Sequence, residues 1–354
     1  MNKRLEWIDV CKGILIITIV LMHINFSFWS ENAVGKYIGN LTSLYKVSIF
    51  FCVAGLTLKD ENLKEPWRFI KRKIKNLYLK IIAIGVIAVI LHNVLINIGF
   101  YQIGLDYAGK VMRPYGLSDY IKQIILTLFL ANREVIIGPM WYANVLFMAL
   151  VILALLDWFI CLFVKNDNAR IVRLIVALCL MLTSSALTNL AGFTIPRFNN
   201  TLTAVFLIDL CQFLFRKLKW NFDNHWMFVI ATLILLSLPL YGHLSMTNNY
   251  FQDPAFLIVV AICGMYVLYY LSQKWEGIKI LSFIGIQSFW IMALHFISFK
   301  IGSVVLNLFI KTDVSSLTPT ASKVFIVAFY LLVGIIIPCL VGVVIKKIKK
   351  LVIR

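Results

Sequence analysis

The sequence has little charge for its length, and acidic residues are the scarcer kind. Of its 354 residues 14% are charged, with 16 Asp and Glu against 34 Lys and Arg, and 61% are hydrophobic. A composition this apolar excludes an ordinary soluble domain. The mean hydropathy of +0.89 is that of a chain that crosses a membrane several times.

Other common features are also missing. The apolar runs are continuous, without the ten-residue alternation of a membrane β-barrel, and no polar stretch is long enough for a separate soluble domain. None of the seven cysteines forms a CxxC pair and their number is odd, so we expect free, buried thiols. No small-residue cleavage site follows the first apolar run, so we expect that run to stay in the mature chain.

What is present is a series of apolar runs long enough to span a bilayer. They predict an all-α, polytopic membrane bundle, a single domain over residues 1–354 with about ten transmembrane helices. Both termini are expected in the cytosol, because most Lys and Arg then fall on that side. The net charge of +18 therefore indicates a lipid bilayer as partner, and no nucleic acid. The expected spans are 10–29, 44–58, 75–99, 138–164, 171–191, 200–215, 226–244, 254–272, 283–310 and 323–345.

Two ionisable residues lie inside the first span, although such groups are costly in hydrocarbon. Lys12 and His23 are eleven residues apart in the sequence. On a helix this spacing places both side chains on one face with a rise of about 16 Å. A cation at the boundary and an imidazole deeper in the membrane would suit the phosphate and thioester ends of acetyl-CoA. Asp9, on the same face, is expected to orient or neutralise Lys12.

A basic stripe precedes the third span. Arg68, Arg72 and Lys75 are spaced i, i+4, i+7, so on a regular helix they form one line. Such a cluster can fix the membrane topology and meet anionic headgroups. It can equally bind phosphate through guanidinium forks, and the two interpretations are compatible.

The loop from Phe100 to Pro139 and the residues after it are candidates for an acceptor site. The loop contains Glu134 and is long enough for a lid or a binding surface. Its inner apolar run, Ile121 to Leu130, is too short to cross and is expected to be re-entrant or interfacial. Trp141 and Tyr142 open the fourth span, either as aromatic anchors at the membrane boundary or as a platform for a sugar ring.

The ninth span contains a second histidine, His295. It is expected at about 18 Å from the cytosolic boundary and His23 at about 20 Å, so the two imidazoles have matched depth. A lone buried histidine is more often a hydrogen-bonded core residue, and a matched pair favours a functional role.

Three further polar residues lie in apolar context. His92 is interpreted as part of a polar helix contact with Asn93 and Asn97. Asp157 and Asp209 lie near the cytosolic ends of their spans, where they are expected to reach water or a lysine.

Several of these segments resemble the acyltransferase-3 family of integral membrane acyltransferases, most closely its fucose 4-O-acetylase-like members. The resemblance rests mainly on the spacing from Lys12 to His23 within WIDVCKGILIITIVLMH. The other matching segments are IFFCVAG, the basic run, GPMWY and FIGIQSFWIMALH. They follow the family order over nearly the whole chain. The sequence departs from many relatives at Lys12, where they have Arg, and at Ala54, where they have Ser.

The resemblance implies transfer of an acetyl group from cytosolic acetyl-CoA to a sugar hydroxyl of a surface polysaccharide or its lipid-linked precursor. The implied location is a bacterial plasma membrane, and no metal is expected. The expected site residues are His23 and His295 for catalysis, Lys12, Asp9, Arg68, Arg72 and Lys75 for the donor, and Trp141, Tyr142 and Glu134 for the acceptor.

The chemistry leaves alternatives open. A neutral histidine can act as general base for the attacking hydroxyl or can carry the acetyl group itself. A transporter or flippase for a lipid-linked sugar or small solute is the alternative function, although we find no convincing internal repeat of the kind many transporters show. The acceptor sugar stays open, as does the oligomeric state, for which a homodimer is one option.

Overall fold

The computed structural model of the protein describes residues 5–28, 33–105, 111–131, 134–164, 168–195, 197–309 and 320–352. Within these residues the α-helices are α1 Glu6–Phe28, α2 Ala33–Thr57, α3 Asp60–Lys64, α4 Pro66–Lys73, α5 Leu79–Ile90, α6 His92–Asn97, α7 Leu117–Leu128, α8 Trp141–Phe163, α9 Asn168–Ser185, α10 Phe198–Gln212, α11 His225–Tyr241, α12 Pro254–Lys274, α13 Lys279–Ile286, α14 Ser288–Phe309 and α15 Thr320–Val352. A 3-10 turn at Val135–Met140 leads into α8, and π-helical turns occupy Ile74–Tyr78, Ala186–Leu190 and Phe213–Lys217. Two short strands, β1 Leu244–Ser245 and β2 Tyr250–Phe251, pair antiparallel.

The expected all-α membrane bundle is confirmed. In the described part of the chain, eight helices are long and apolar enough to cross a membrane. The expected third span corresponds to the helical stretch from Pro66 to Asn97, which a π turn and a turn at Leu91 divide. The expected seventh span is the 17-residue helix α11, so the count of ten crossings stays a prediction.

Two boundaries differ from those expected. Helix α2 begins at Ala33 instead of residue 44, which makes it long enough to cross the bilayer. The expected ninth span is two helices, α13 and α14, because the backbone of Gln287 leaves the helical conformation at φ −90° and ψ 2°. The buried side chain of Gln287 lies against Gly342 of α15.

Helices α1 and α10 form the centre of the bundle. Every residue of α10 from Asn199 to Gln212 is buried, as expected for a helix enclosed on all sides. Helix α1 belongs to both hydrophobic clusters of the described structure, with Leu15 in one and Ile16 in the other. Residues on α1 are therefore surrounded by protein over most of the helix length.

Two glycines allow backbones to approach closely, which is how helices pack tightly in a membrane. A Cβ added at Gly13 would lie 2.2 Å from the carbonyl oxygen of Leu281, so α1 is held against α13. A Cβ at Gly55 would lie 2.2 Å from the carbonyl oxygen of Ile208, so α2 is held against α10. These contacts fix the position of Lys12, next to Gly13, relative to the start of α14.

Asp157 and Asp209 have a structural role, but their partner is a buried arginine and not the water or lysine expected. Arg173 of α9 is 2% exposed; its Nε donates to Asp209 Oδ1 at 2.9 Å, and one terminal nitrogen bonds Asp157 of α8. Its other terminal nitrogen bonds the Gln212 side chain of α10. A buried guanidinium needs such partners, and the cluster fastens three helices together.

The cysteines are free, as expected. The expectation of burial was wrong for Cys161 and Cys179, which are exposed on the surface of the bundle.

Candidate functional site

A cavity of about 510 Å³ lies between α1, α2, α4, α8 and α14. This volume is in the range of small-molecule sites, about 300–1,000 Å³. One end, which we call the basic mouth, carries Lys12, Arg72 and Lys73. The other end, which we call the deep end, is formed by Phe50, Tyr142 and Met292, and apolar residues of α2 and α8 line the walls between. We refer to the whole as the basic cavity.

The basic mouth brings together residues from two separate segments. Lys12 Nζ lies 3.7 Å from Asp9 Oδ1, one turn earlier on α1, and the Asp9 side chain is almost fully buried. Arg72 Nη2 donates to Asn62 Oδ1 at 2.5 Å. Two of the residues expected at a donor site, Lys12 and Arg72, therefore line one cavity, and Asp9 contacts the first of them.

Lys73 also lines the mouth, and sequence reasoning did not select it. Burial, together with the charges of Arg72 and Lys12, lowers the pKa of Lys73 to about 8. Because three cations converge at the mouth, an anion bound there would be stabilised. The only sequence signal was membership of the basic run, which does not distinguish one cation from another.

Arg68 and Lys75 are placed differently. The Arg68 side chain is 84% exposed and pairs with Glu65 at 3.0 Å. Lys75 is exposed within the π turn Ile74–Tyr78, where the regular helical spacing assumed for the stripe does not hold. Neither residue is among those lining the basic cavity.

Aromatic and apolar side chains form the deep end. The Tyr142 hydroxyl donates to the carbonyl of Phe50 at 3.1 Å, and its ring lies 4.6 Å from that of Phe51. Tyr142 is therefore in the wall of the same cavity as Lys12 and Arg72, and not on a separate outer surface.

The two membrane histidines face each other. The ring centroids of His23 and His295 are 5.2 Å apart, and Phe296 lies edge-on to both at 4.9 Å. The expectation of matched depth on neighbouring helices is confirmed. The rings lie one turn past the deep end, since His295 follows Met292 by three residues, about 4.5 Å along α14.

The tautomer of His295 follows from its hydrogen bond. His295 is fully buried, and its Nδ1 lies 2.7 Å from the carbonyl oxygen of Ile291. A carbonyl only accepts, so Nδ1 carries the proton. The other nitrogen, Nε2, is buried and has no partner among the described residues. In the neutral ring this Nε2 is a proton acceptor that the protein leaves unused, as a general base requires.

Glu134 is enclosed in a hydrogen-bond network within the loop from Phe100 to Pro139, which we call the outer loop. It is 1% exposed, and its carboxylate accepts hydrogen bonds from the hydroxyls of Tyr101, at 3.2 Å, and Tyr115. His92 Nδ1 lies 3.1 Å from the same carboxylate. Burial and the bond to Glu134 raise the pKa of Tyr115, which keeps its hydroxyl a donor. The carboxylate is thus occupied by protein groups that hold the loop together.

The interpretation of His92 was therefore wrong. Its ring stacks on Tyr115 at 3.5 Å and bonds Glu134, and its Nε2 lies 3.1 Å from the carbonyl of Arg113. Asn93 serves the same loop by bonding the backbone of Tyr115. The sequence did not predict these partners, because they lie in the loop, distant in the sequence, and not on the same helix as His92.

Trp141 lies outside the basic cavity. Its ring contacts the guanidinium of Arg197 at 5.7 Å, a cation–π arrangement. Arg197 precedes α10 with a left-handed backbone, φ 68°.

These positions define what the site can do. The cationic mouth can bind phosphates, and the apolar walls can hold an extended arm. The unprotonated imidazole nitrogen, one helical turn past the deep end, can accept a proton. The arrangement fits a long donor that carries phosphate at one end and a reactive carbonyl at the other.

A comparison with protein-family models supports this chemistry. A model described as an acyltransferase domain matches residues 5–343, nearly the whole chain. No curated protein and no solved structure matches the chain.

Proposed function

The chain belongs to the acyltransferase-3 family of membrane acyltransferases, and we propose that it transfers an acetyl group from cytosolic acetyl-CoA to a sugar hydroxyl. The proposed acceptor is a surface polysaccharide or its lipid-linked precursor, and the proposed location is a bacterial plasma membrane. The family match favours acyl transfer over transport of a lipid-linked sugar.

The observation that supports the donor is the basic cavity. Lys12, Arg72 and Lys73 gather at its mouth, and the histidine pair lies just past its opposite end. Lys12 and His23 are separated by a rise of about 16 Å along α1. Acetyl-CoA has its phosphates and its thioester at opposite ends of a flexible, mostly neutral arm, and it would enter from the cytosol.

Each part of the donor then meets a matching surface. The phosphates bind Lys12, Lys73 and the guanidinium of Arg72, which can form a bidentate pair. The pantetheine arm follows the apolar walls, and the thioester reaches the level of Tyr142 and Met292. Asp9 holds Lys12 in place when no phosphate is bound.

The reaction is an ester exchange. The acceptor hydroxyl oxygen attacks the thioester carbonyl carbon while the His23–His295 pair takes its proton. The carbon–sulfur bond then breaks, and the CoA thiolate receives that proton as the acetyl ester forms. Positioned general bases contribute roughly 10²–10⁴-fold to such steps.

The acceptor would approach from the opposite side of the histidines. Trp141, with Arg197 beside it, is the proposed aromatic surface for the acceptor sugar. Glu134 supports this region indirectly, through the outer-loop network. If the chain acts as fucose 4-O-acetylase-like members do, the group bound at this position would be a free sugar hydroxyl.

Gene deletion followed by mass spectrometry of surface glycans tests the proposal. We expect the O-acetyl content to fall in the deletion strain and to return with the wild-type gene. A gene carrying His23→Ala, expressed to the same level in the membrane, should not restore it. Unchanged glycan acetylation after deletion would contradict the proposed acceptor.

A further inference from the structure

A third ionisable side chain lies in the membrane interior near the histidines. Lys46 is in the middle of α2, inside a candidate membrane span, and is 7% exposed. Helix α2, which carries Lys46, packs directly against α1, which carries His23. An ionisable group is costly in hydrocarbon, so Lys46, like Lys12 and His23, is expected to have a function.

The helix periodicity places Lys46 just past the deep end of the basic cavity. On α2, Phe50, Val53 and Thr57 line the cavity, and Lys46 precedes Phe50 by four residues on the same face. It is therefore about 6 Å farther from the mouth than Phe50. His295 lies about one turn past Met292 on α14 in the same direction, so helix geometry places Lys46 and His295 beyond the same end of the basic cavity.

Lys46 has no hydrogen-bond or ion-pair partner among the described residues. This sets it apart from Arg173, the other deeply buried cation, which is bonded by two carboxylates. A cation without a counter-ion in an apolar site is costly. The cost is offset when a negative charge develops beside it, which is the arrangement that stabilises an oxyanion.

We propose that Lys46 stabilises the negative charge that forms on the thioester oxygen during acetyl transfer, which makes it a catalytic residue of the proposed reaction. When the acceptor oxygen attacks the carbonyl carbon, two electrons of the C=O bond move to the carbonyl oxygen, and the ammonium of Lys46 stabilises the negative charge on that oxygen. These electrons re-form the C=O bond as the carbon–sulfur bond breaks, and Lys46 neither gains nor loses a proton. This inference rests on the proposed function.

The test compares Lys46→Met, Lys46→Arg and a matched control in purified, reconstituted protein. The control is Lys300→Met. Lys300 also lies within a membrane-spanning helix, α14, but it is about 140° around that helix from His295. Lys46→Met should lower kcat for acetyl transfer by about a hundredfold, as expected for loss of one oxyanion partner. Affinity for CoA and the thermal midpoint should not fall, because Met removes an unpaired buried charge. Lys46→Arg should recover part of kcat, and Lys300→Met should keep it.

The outcomes separate the two proposals. If Lys46→Met transfers acetyl at the wild-type rate while His23→Ala is inactive, the role of Lys46 is wrong and the proposed function stands. If Lys46→Met lowers the thermal midpoint or CoA affinity in proportion to activity, Lys46 is structural and the catalytic role is overturned. If the wild-type protein transfers no acetyl group from acetyl-CoA, the proposed function itself fails, and with it the role of Lys46.

Discussion

The imidazole rings of His23 and His295 lie 5.2 Å apart with an angle of 34° between their planes. They come from α1 and α14, and the ring of Phe296 lies edge-on to both. Only His295 has a fixed hydrogen-bond donor role, through the carbonyl of Ile291. The pair therefore combines one oriented ring with an unused acceptor nitrogen next to a cavity that can hold a donor.

The acceptor nitrogen of His295 gives the first prediction. His295→Asn keeps a donor for the carbonyl of Ile291 and removes Nε2. We expect kcat to fall by roughly 10²–10⁴-fold with little change in KM for acetyl-CoA, because a base is lost and no donor contact is. Steady-state kinetics of reconstituted protein measures this. The control is His225→Asn, whose ring bonds the Tyr270 hydroxyl at the surface; a similar loss there would refute a specific role for His295.

The basic mouth gives the second prediction. Lys12→Met and Arg72→Met should each weaken acetyl-CoA binding by about 10- to 100-fold, the loss of one charge-assisted contact. Arg68→Met should have little effect, since its side chain is exposed and paired with Glu65. Isothermal titration with CoA measures all three. Equal losses for Arg68→Met and Arg72→Met would favour a diffuse electrostatic surface over a defined phosphate site.

Lys73 predicts a pH dependence of donor binding. Its pKa is lowered to about 8, mainly by burial, so the ammonium loses its proton as the pH rises from 7 to 9. The mouth then has one positive charge fewer, and kcat/KM for acetyl-CoA should decrease about fivefold across this range. Lys73→Met should give the lower value at both pH values. The same pH slope in wild type and Lys73→Met would assign the titration to another group.

The outer-loop network predicts a difference between buried and exposed carboxylates. Glu134→Ala leaves Tyr101, Tyr115 and His92 without their shared acceptor inside the protein, and should lower stability by about 1–3 kcal/mol or more. Asp119→Asn weakens the surface pair with Arg113 and keeps an amide oxygen that can accept from the Gly116 backbone N–H, so it should cost about 0–1 kcal/mol. Thermal unfolding in detergent compares them. Equal midpoints for the two variants would contradict the structural role of Glu134.

Local spacing predicted the part of the site that depends on single helices. The interval from Lys12 to His23 and the matched depth of His295 follow from helix geometry and the direction of each span, and the structure brings the two rings together. Arg72 was one of the three cations expected in the basic stripe, and of these three only Arg72 lines the cavity. Lys75 is excluded from the cavity because it lies in a π turn, and Arg68 because its side chain is exposed. Neither feature can be predicted from an i, i+4, i+7 pattern.

The remaining features depend on partners distant in the sequence. Nothing near Glu134 or His92 in the chain indicates that they bond each other, and Arg173 lies on a different helix from Asp157. Lys46 is different, because the sequence did contain its signal, a lysine within an apolar span. Only the structure shows that, among the residues it describes, Lys46 has no carboxylate partners of the kind that Arg173 has.

The most direct test of the central claim is a single-turnover assay with purified, reconstituted protein. Labelled acetyl-CoA is supplied on the side of the membrane to which the basic mouth opens, together with glycan from the deletion strain, for wild type and for His23→Ala. We predict that both proteins bind CoA with the same affinity and that only the wild type forms labelled glycan. Transfer at the wild-type rate by His23→Ala would contradict the claim that the basic cavity delivers its acetyl group to the histidine pair.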